Sequence, residues 1–450
     1  MVSAMTARAE VPAKRRLTLP ECIAVAQGQN PALLATLEAE QAARWRYYQQ
    51  RALYTPTASF QGLRRKQTPP PSLGNFVFGS ADVIDRQGDV NATVYSFGRF
   101  ESGLHARRKL SKAAHSDTSD ALRSVEFQVA EAFYAVLLSH ELVRVAAQTV
   151  GQVQLQLEQA EKAFEAGTSA RFDVVRARTQ LANARPPLIR AQATERINRQ
   201  TLLTAMGVAD ELEFELAGDF DTRPVPLSRD RLLELAWGAR PDLVAQMQRV
   251  DAAGESVKEA WASENPSVTF NAQTDDSLGQ RPPFDQFVEI NSATVAYNIP
   301  VFDGGLARAR AGEAKAEQRR LGHVVQSLKN SIRLEVVQAL ARLEEARAVI
   351  QASGEALKEA DEAVEIAEAG YQQGLRTNLE VLDTQLARDT SRTNFATARH
   401  DYSVARARLE QVIGRSIPGD AAAAASAIAP MTPVNSHAVP TSTARPNSKM

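Results

Sequence analysis

The chain has 450 residues, and its 52 basic and 53 acidic side chains nearly cancel, so charge gives no reason to expect nucleic acid or an anionic surface as partner. A single cysteine, Cys22, excludes an internal disulfide framework, and the lack of any run of about 18 apolar residues excludes a membrane-spanning helix. Spanning β-strands survive that exclusion, because each needs only about 10 residues of alternating polarity.

Residues 1–16 are polar, carry Lys14, Arg15 and Arg16, and show no apolar core of a signal peptide before Pro20 and Glu21; we expect a disordered N-terminus, with any export signal upstream of Met1 or no export at all. An amphipathic start follows from Leu17. Strands are predicted over about 56–67, where Ala58 and Phe60 alternate with Thr57, Ser59 and Gln61, and over about 89–97, where Val90, Ala92 and Val94 alternate with Asn91 and Thr93. No proline occurs between Pro71 and Pro186, so one helix is predicted over about 99–166. Its apolar residues, among them Leu122, Val125, Val129, Phe133, Val136 and Val143, follow coiled-coil spacing. His140 falls where that seam wants an apolar side chain and is read as a polar core position rather than a metal ligand. At Ala166-Gly167-Thr168-Ser169 the glycine supplies the left-handed residue that closes a helix, and Ser169 is the expected cap of a return helix over about 170–206. A kink or break is expected at Pro186-Pro187.

After a linker over 208–226, the same signals return in the same order over 227–414. Leu17, Pro31, Leu33, Pro56 and Phe60 recur as Leu227, Pro241, Leu243, Pro266 and Phe270, and Phe164, Gly167, Val174 and Gly207 recur as Tyr371, Gly374, Val381 and Gly414. Strands are predicted over about 266–275 and 288–299, a long helix over about 304–373, a turn at Gly374 and a return helix over about 377–413, capped by Asn378. Pro69-Pro70-Pro71 and Pro282-Pro283 mark the loops between paired strands, and the Ala-, Ser-, Thr- and Pro-rich stretch over 415–450 reads as a disordered tail. Roughly 65 residues make each long helix about 100 Å long. The fold class is therefore mainly α with a small β part, built as a duplicated unit of two strands and a long helical hairpin.

This duplicated order, with Tyr95-Ser-Phe-Gly98 and Ile299-Pro-Val-Phe-Asp-Gly-Gly305 at the strand-to-helix junctions, resembles the TolC family of bacterial outer-membrane channel proteins. The resemblance implies a homotrimer whose strands close a twelve-stranded β-barrel in outer-membrane lipid, continued by an α-barrel across the periplasm. It further implies the exit duct of a tripartite efflux pump or type I secretion system, docked on a periplasmic adaptor (membrane fusion protein). Through the adaptor it would meet an inner-membrane transporter of the RND, ABC or MFS type. In the family an acidic ring narrows the periplasmic mouth, and Glu380 and Asp383 match it; as carboxylates in a helix's first turn they equally suit the helix dipole. Polar links near the turns hold the family's mouth shut, and Asp173, Tyr371 and Arg376 match that latch, while Tyr371 equally fits the packing seam. The adaptor would touch Gly167, Thr168, Ser169 and Ala170 of one turn and Gly374, Leu375, Arg376 and Thr377 of the other.

The residues suggest no metal or other cofactor and no nucleophile–base constellation, so an enzyme is not expected. Two other readings stand beside the duct. A soluble structural coiled coil fits the heptads and leaves the alternating stretches unexplained. A periplasmic adaptor would show one hairpin beside a single β domain, whereas two hairpins and two strand pairs are present.

Overall fold

The computed structural model describes residues 16–66, 72–73, 76–77, 82–209, 214–226, 228–281 and 284–417. The expected terminal disorder before residue 16 and after 417, the equivalence at Leu227 and the proline loops at 69–71 and 282–283 lie outside these residues.

In chain order the elements are β1 (Arg16–Leu17), α1 (Leu19–Gln29), α2 (Pro31–Ala52), β2 (Thr57–Lys66), β3 (Ser72–Leu73), β4 (Phe76–Val77), β5 (Asp82–Tyr95), α3 (Arg99–Glu165) and α4 (Arg171–Met206). The second half adds β6 (Glu215–Leu216), α5 (Arg229–Ala239), α6 (Pro241–Trp261), β7 (Ser267–Arg281), β8 (Phe284–Asn298), α7 (Leu306–Gln372) and α8 (Asn378–Ile413). Duplication extends to length: α3 and α7 have 67 residues each, and α4 and α8 have 36 each.

The main sheet is antiparallel in the order β2-β5-β7-β8, so the two halves meet through β5 and β7, and β2 and β8 are its edges. One face carries Ala58, Phe60, Val90, Ala92, Phe270, Ala272, Ala293 and Val295; the other carries Thr57, Ser59, Gln61, Asn91, Asn271, Gln273, Ser292 and Thr294. Three of the four strands run beyond the expected bounds: β5 begins at Asp82, β7 continues to Arg281 and β8 begins at Phe284. Backbone groups set the pairing, and it continues past the regularly alternating residues into segments that read as loop in the sequence.

Each long helix starts from a glycine in the left-handed region, Gly98 (φ 97°) or Gly305 (φ 86°), preceded by a second positive φ at Phe97 (47°) or Gly304 (69°). A side chain one residue earlier caps the helix: Ser96 Oγ accepts from Phe100 N at 3.0 Å, and Asp303 Oδ2 accepts from Ala307 N at 2.7 Å. In space the hairpin helices follow the order α4-α3-α8-α7, with α6 bridging α3 and α7 and α2 lying on α3. The buried core of the first half joins Leu17, Cys22, Ala26 and Leu33 to Val125, Val129, Phe133 and Val136 of α3 and to Leu202, Leu203 and Met206 of α4. Burial pushes the Cys22 thiol up to about 12, helped by nearby Glu21, which keeps it unreactive.

Three local expectations are corrected. Helix α4 runs unbroken through Pro186 and Pro187. Both prolines are exposed, and so are Ala182 and Asn183, whose carbonyls lose their helical donors and face water. His140 is exposed beside Glu195 (3.4 Å), and Ser139 is the buried residue, because a straight helix drifts from a strict heptad over this length. The return helices are capped from Ala170 and Thr377 rather than Ser169 and Asn378.

Candidate functional site at the hairpin turns

The sequence places its candidate residues at the two turns, and both turns close in the same way. Gly167 (φ 75°) donates to Phe164 O at 3.0 Å while Thr168 N reaches Ala163 O at 2.9 Å; Gly374 (φ 73°) donates to Tyr371 O at 3.0 Å while Leu375 N reaches Gly370 O at 2.9 Å. These two hydrogen bonds satisfy carbonyls of the last turn of each long helix and reverse the chain within a few residues.

Beyond the glycine the turns differ. In the first, Asp173 Oδ2 accepts from Ser169 Oγ at 2.8 Å and from Ala170 N at 3.3 Å. In the second, Thr377 and Glu380 form a reciprocal box: Thr377 N donates to Glu380 Oε2 at 2.7 Å, and Glu380 N donates to Thr377 Oγ1 at 3.3 Å. The Thr377 backbone bond, then its hydroxyl, then the Arg376 charge at 3.8 Å hold the Glu380 carboxyl below its ordinary range. Asp383, one turn further along α8, is exposed like Glu380, so two carboxylates stand on one solvent-facing stripe. Leu375 is 78% exposed at the tip and Tyr371 is 49% exposed. Gly370 has a steric purpose, since a Cβ there would lie 2.7 Å from Arg376 Cγ, which folds over the helix end.

Among the described residues, Asp173 makes no hydrogen bond to Tyr371 or Arg376; Asp173 and Arg376 are each engaged within their own hairpin. The hairpins are instead joined farther from the tips by a polar seam that the sequence reading missed. Thr149 Oγ1 of α3 donates to Asp389 Oδ2 of α8 at 2.6 Å, Arg388 reaches Gln152 Oε1 at 3.3 Å, and Gln156 Nε2 donates to Gln385 Oε1 at 3.3 Å. Asp389 is buried, so this seam places a charged pair, Arg388 and Asp389 at 3.3 Å, inside a helix interface. Two adjacent charges where α8 repeats its apolar spacing were the available signal. Among the described residues no cluster of His, Cys, Asp and Glu has metal-binding geometry, and no helix is long and apolar enough to cross a membrane, which says nothing of a β-barrel.

The sequence matches the model of a family described as outer membrane efflux protein twice, over residues 22–208 and 232–415. The chain belongs to this family. Among outer membrane efflux proteins it resembles the outer membrane protein TolC of Vibrio cholerae, 24% identical over 412 residues, covering 88% of this chain and 90% of that one. It also resembles the cobalt-zinc-cadmium resistance protein CzcC of Cupriavidus metallidurans, at 23% identity over 78% of this chain and 83% of that one. A third relative is the alkaline protease secretion protein AprF of Pseudomonas aeruginosa, at 25% identity over 70% and 67%. The fold matches solved structures of CusC (TM-score 0.74, 19% identity, 90% of this chain and 97% of that one) and of the open state of the Neisseria gonorrhoeae MtrE channel (0.73, 19%, 89% of each).

Proposed function

We propose that three copies of this outer membrane efflux protein form a passive exit duct, with a twelve-stranded barrel in the bacterial outer membrane and a helical barrel in the periplasm. One observation carries the reading: among the described residues, both layers are open. The sheet ends at β2 and β8, and the helical layer ends at α4 and α7. Open strand edges are not tolerated in lipid, and four strands do not close a barrel by themselves. Further copies supply the missing neighbours in both layers at once. Relatives named for metal resistance and for protease secretion support a conduit used for efflux or for type I secretion, with energy supplied by an inner-membrane transporter of the RND, ABC or MFS type through a periplasmic adaptor. No catalytic role is assigned.

In this reading Glu380 and Asp383, repeated around the axis, form a cation-attracting constriction. Asp173, Tyr371 and Arg376 form weak links between neighbouring hairpins that adaptor docking releases, and the residues at 167–170 and 374–377 meet the adaptor. Exposure of both carboxylates and of Leu375 supports this. The test is single-channel recording in planar bilayers of detergent-extracted protein and of the Glu380→Gln, Asp383→Asn variant. Glutamine keeps an oxygen for the Thr377 N–H, so the cap survives while charge is removed. Weaker cation selectivity is expected; an unchanged reversal potential in a salt gradient would take both carboxylates out of the constriction, and failure of well-folded protein to form channels would reject the duct.

A further inference from the structure

The layer of long helices has a concave and a convex side. In the spatial order α4-α3-α8-α7, α3 and α7 flank α8. Glu131 of α3 and Arg342 of α7 nevertheless line one groove together, over Ala398 and Ala405 of α8, so that side is concave. On the other side lie α1 and α5: Gln27 Nε2 of α1 donates to Glu126 Oε1 of α3 at 3.3 Å, and the Arg333 guanidinium of α7 lies 5.7 Å from the ring of Trp237 in α5. Glu131 is five positions beyond Glu126 and Arg342 nine beyond Arg333, which turns them away by about 140° and about 180°.

Toward the sheet, the convex side of α3 carries Arg108, eighteen positions before Glu126 and so about five whole turns away, with Lys112 one turn further along. On α7, Lys315 stands eighteen positions before Arg333, and Arg319 follows one turn later. The two pairs are copies: the shift of about 207 positions that carries Gly98 onto Gly305 carries Arg108 onto Lys315 and Lys112 onto Arg319. All four side chains are exposed, and among the described residues none has a carboxylate partner. Lys315 Nζ lies instead 5.5 Å from the ring of Trp261, where α6 ends shortly before β7.

Each pair lies about 15–21 Å along its helix from the left-handed glycine at the strand junction. Helical side chains tilt toward the N-terminus, which here is toward the sheet, and the flexible stems of Lys and Arg extend that reach. Exposed Tyr297, Phe302 and Trp261 mark the junction itself. From the sheet downward the outer surface therefore runs from apolar side chains through aromatic rings to unpaired cations, the same order as hydrocarbon, interface and headgroups in a leaflet. Resting on the duct reading, we propose that Arg108, Lys112, Lys315 and Arg319 bind the headgroups of anionic phospholipids in the leaflet facing the periplasm. Repeated in each copy, they make a basic collar around the outside of the duct. The hairpin turns lie about 80 Å further along the same helices, which separates the collar from the residues that meet the adaptor.

The full chain in phosphatidylcholine vesicles, with a trace of spin-labelled phosphatidylglycerol or spin-labelled phosphatidylcholine, reports the collar by the fraction of label immobilised at the protein surface. Phosphatidylglycerol should be favoured by about threefold to tenfold at low salt, less at high salt, and by about onefold in the Arg108→Gln, Lys112→Gln, Lys315→Gln, Arg319→Gln variant. Arg108→Lys with Arg319→Lys should keep the preference. So should Arg107→Gln with Arg310→Gln, because these arginines precede Lys112 and Lys315 by five positions and are turned away from the convex side by about 140°. Equal binding of the two lipids by the unaltered chain, a preference that survives in the fourfold variant, or its loss in the Arg107→Gln, Arg310→Gln variant would overturn the proposal. If the fourfold variant keeps the lipid preference and loses export in cells, the surface belongs to a periplasmic protein instead. Channel recording from the same vesicles separates the two readings: channels without a lipid preference overturn the collar and leave the duct standing, whereas folded protein that does not insert overturns both.

Discussion

Gly167 and Gly207 both end helices, both have positive φ, and in the sequence they look alike. A Cβ at Gly167 would meet open space, whereas one at Gly207 would lie 2.5 Å from Gln29 O and 2.7 Å from Asn30 Cα. Gly207 seats the end of α4 against the turn before Pro31, where Asn30 caps α2 and its Nδ2 donates to Ala205 O at 2.8 Å. Gly414 repeats the arrangement against Ala239 and Arg240. Gly167→Ala should therefore cost only the left-handed conformation, about 1–2 kcal/mol. Gly207→Ala adds backbone displacement, for roughly 2–5 kcal/mol in all. Melting of the two variants in detergent tests the order; equal losses would contradict the close approach. The glycines as chain-reversal points were legible in sequence because left-handed backbone is local chemistry. Which of them abuts a neighbouring turn was not, since that neighbour is some 175 residues away.

At the scale of elements, the stretch between the halves reads as a linker and is in fact fastened to α8. Tyr402 Oη donates to Arg223 O at 2.9 Å, Arg399 reaches Asp219 at 2.6 Å, and buried Arg406 reaches Asp221 Oδ1 at 2.6 Å. Burial by itself would raise the Asp221 carboxyl; hydrogen bonds from Arg223 and the Arg406 and Arg223 charges outweigh it and leave the carboxyl below its ordinary range. A carboxyl depressed in the folded state stabilises at pH values above its unfolded pKa of about 4, and that contribution disappears as pH falls through the folded value. The melting temperature should thus decline below about pH 4 partly through Asp221, and Asp221→Asn should be less stable near neutrality and show a shallower acid decline. Identical slopes in both proteins would remove Asp221 from that dependence. Element order and type were readable from proline spacing and apolar period. The attachment of 214–226 to α8 was not, because it joins polar groups far apart in sequence and leaves no periodic trace.

At the scale of the whole molecule, apolar side chains on one sheet face and unpartnered edges in both layers predict how the protein leaves cells. It should stay in the membrane pellet through high-salt washing and come out only with detergent; release by salt would favour the soluble coiled coil. Asp389 and Thr149 bear on the same scale, since they belong to a polar seam that joins α3 of one hairpin to α8 of the other. The sequence by itself determined the duplication, the two long hairpins and their glycine turns, and the alternation of the strands. Each of these is written in local periods, in chain-breaking residues or in the order of repeated signals. Only the tertiary structure decided that the halves join through β5 and β7, that three strands run on past their regularly alternating stretches, that α4 passes Pro186 and Pro187 unbroken, and that Glu380 caps its own helix. Those outcomes depend on which backbone groups and side chains meet across long stretches of chain, and on whether water or protein takes up the groups left over.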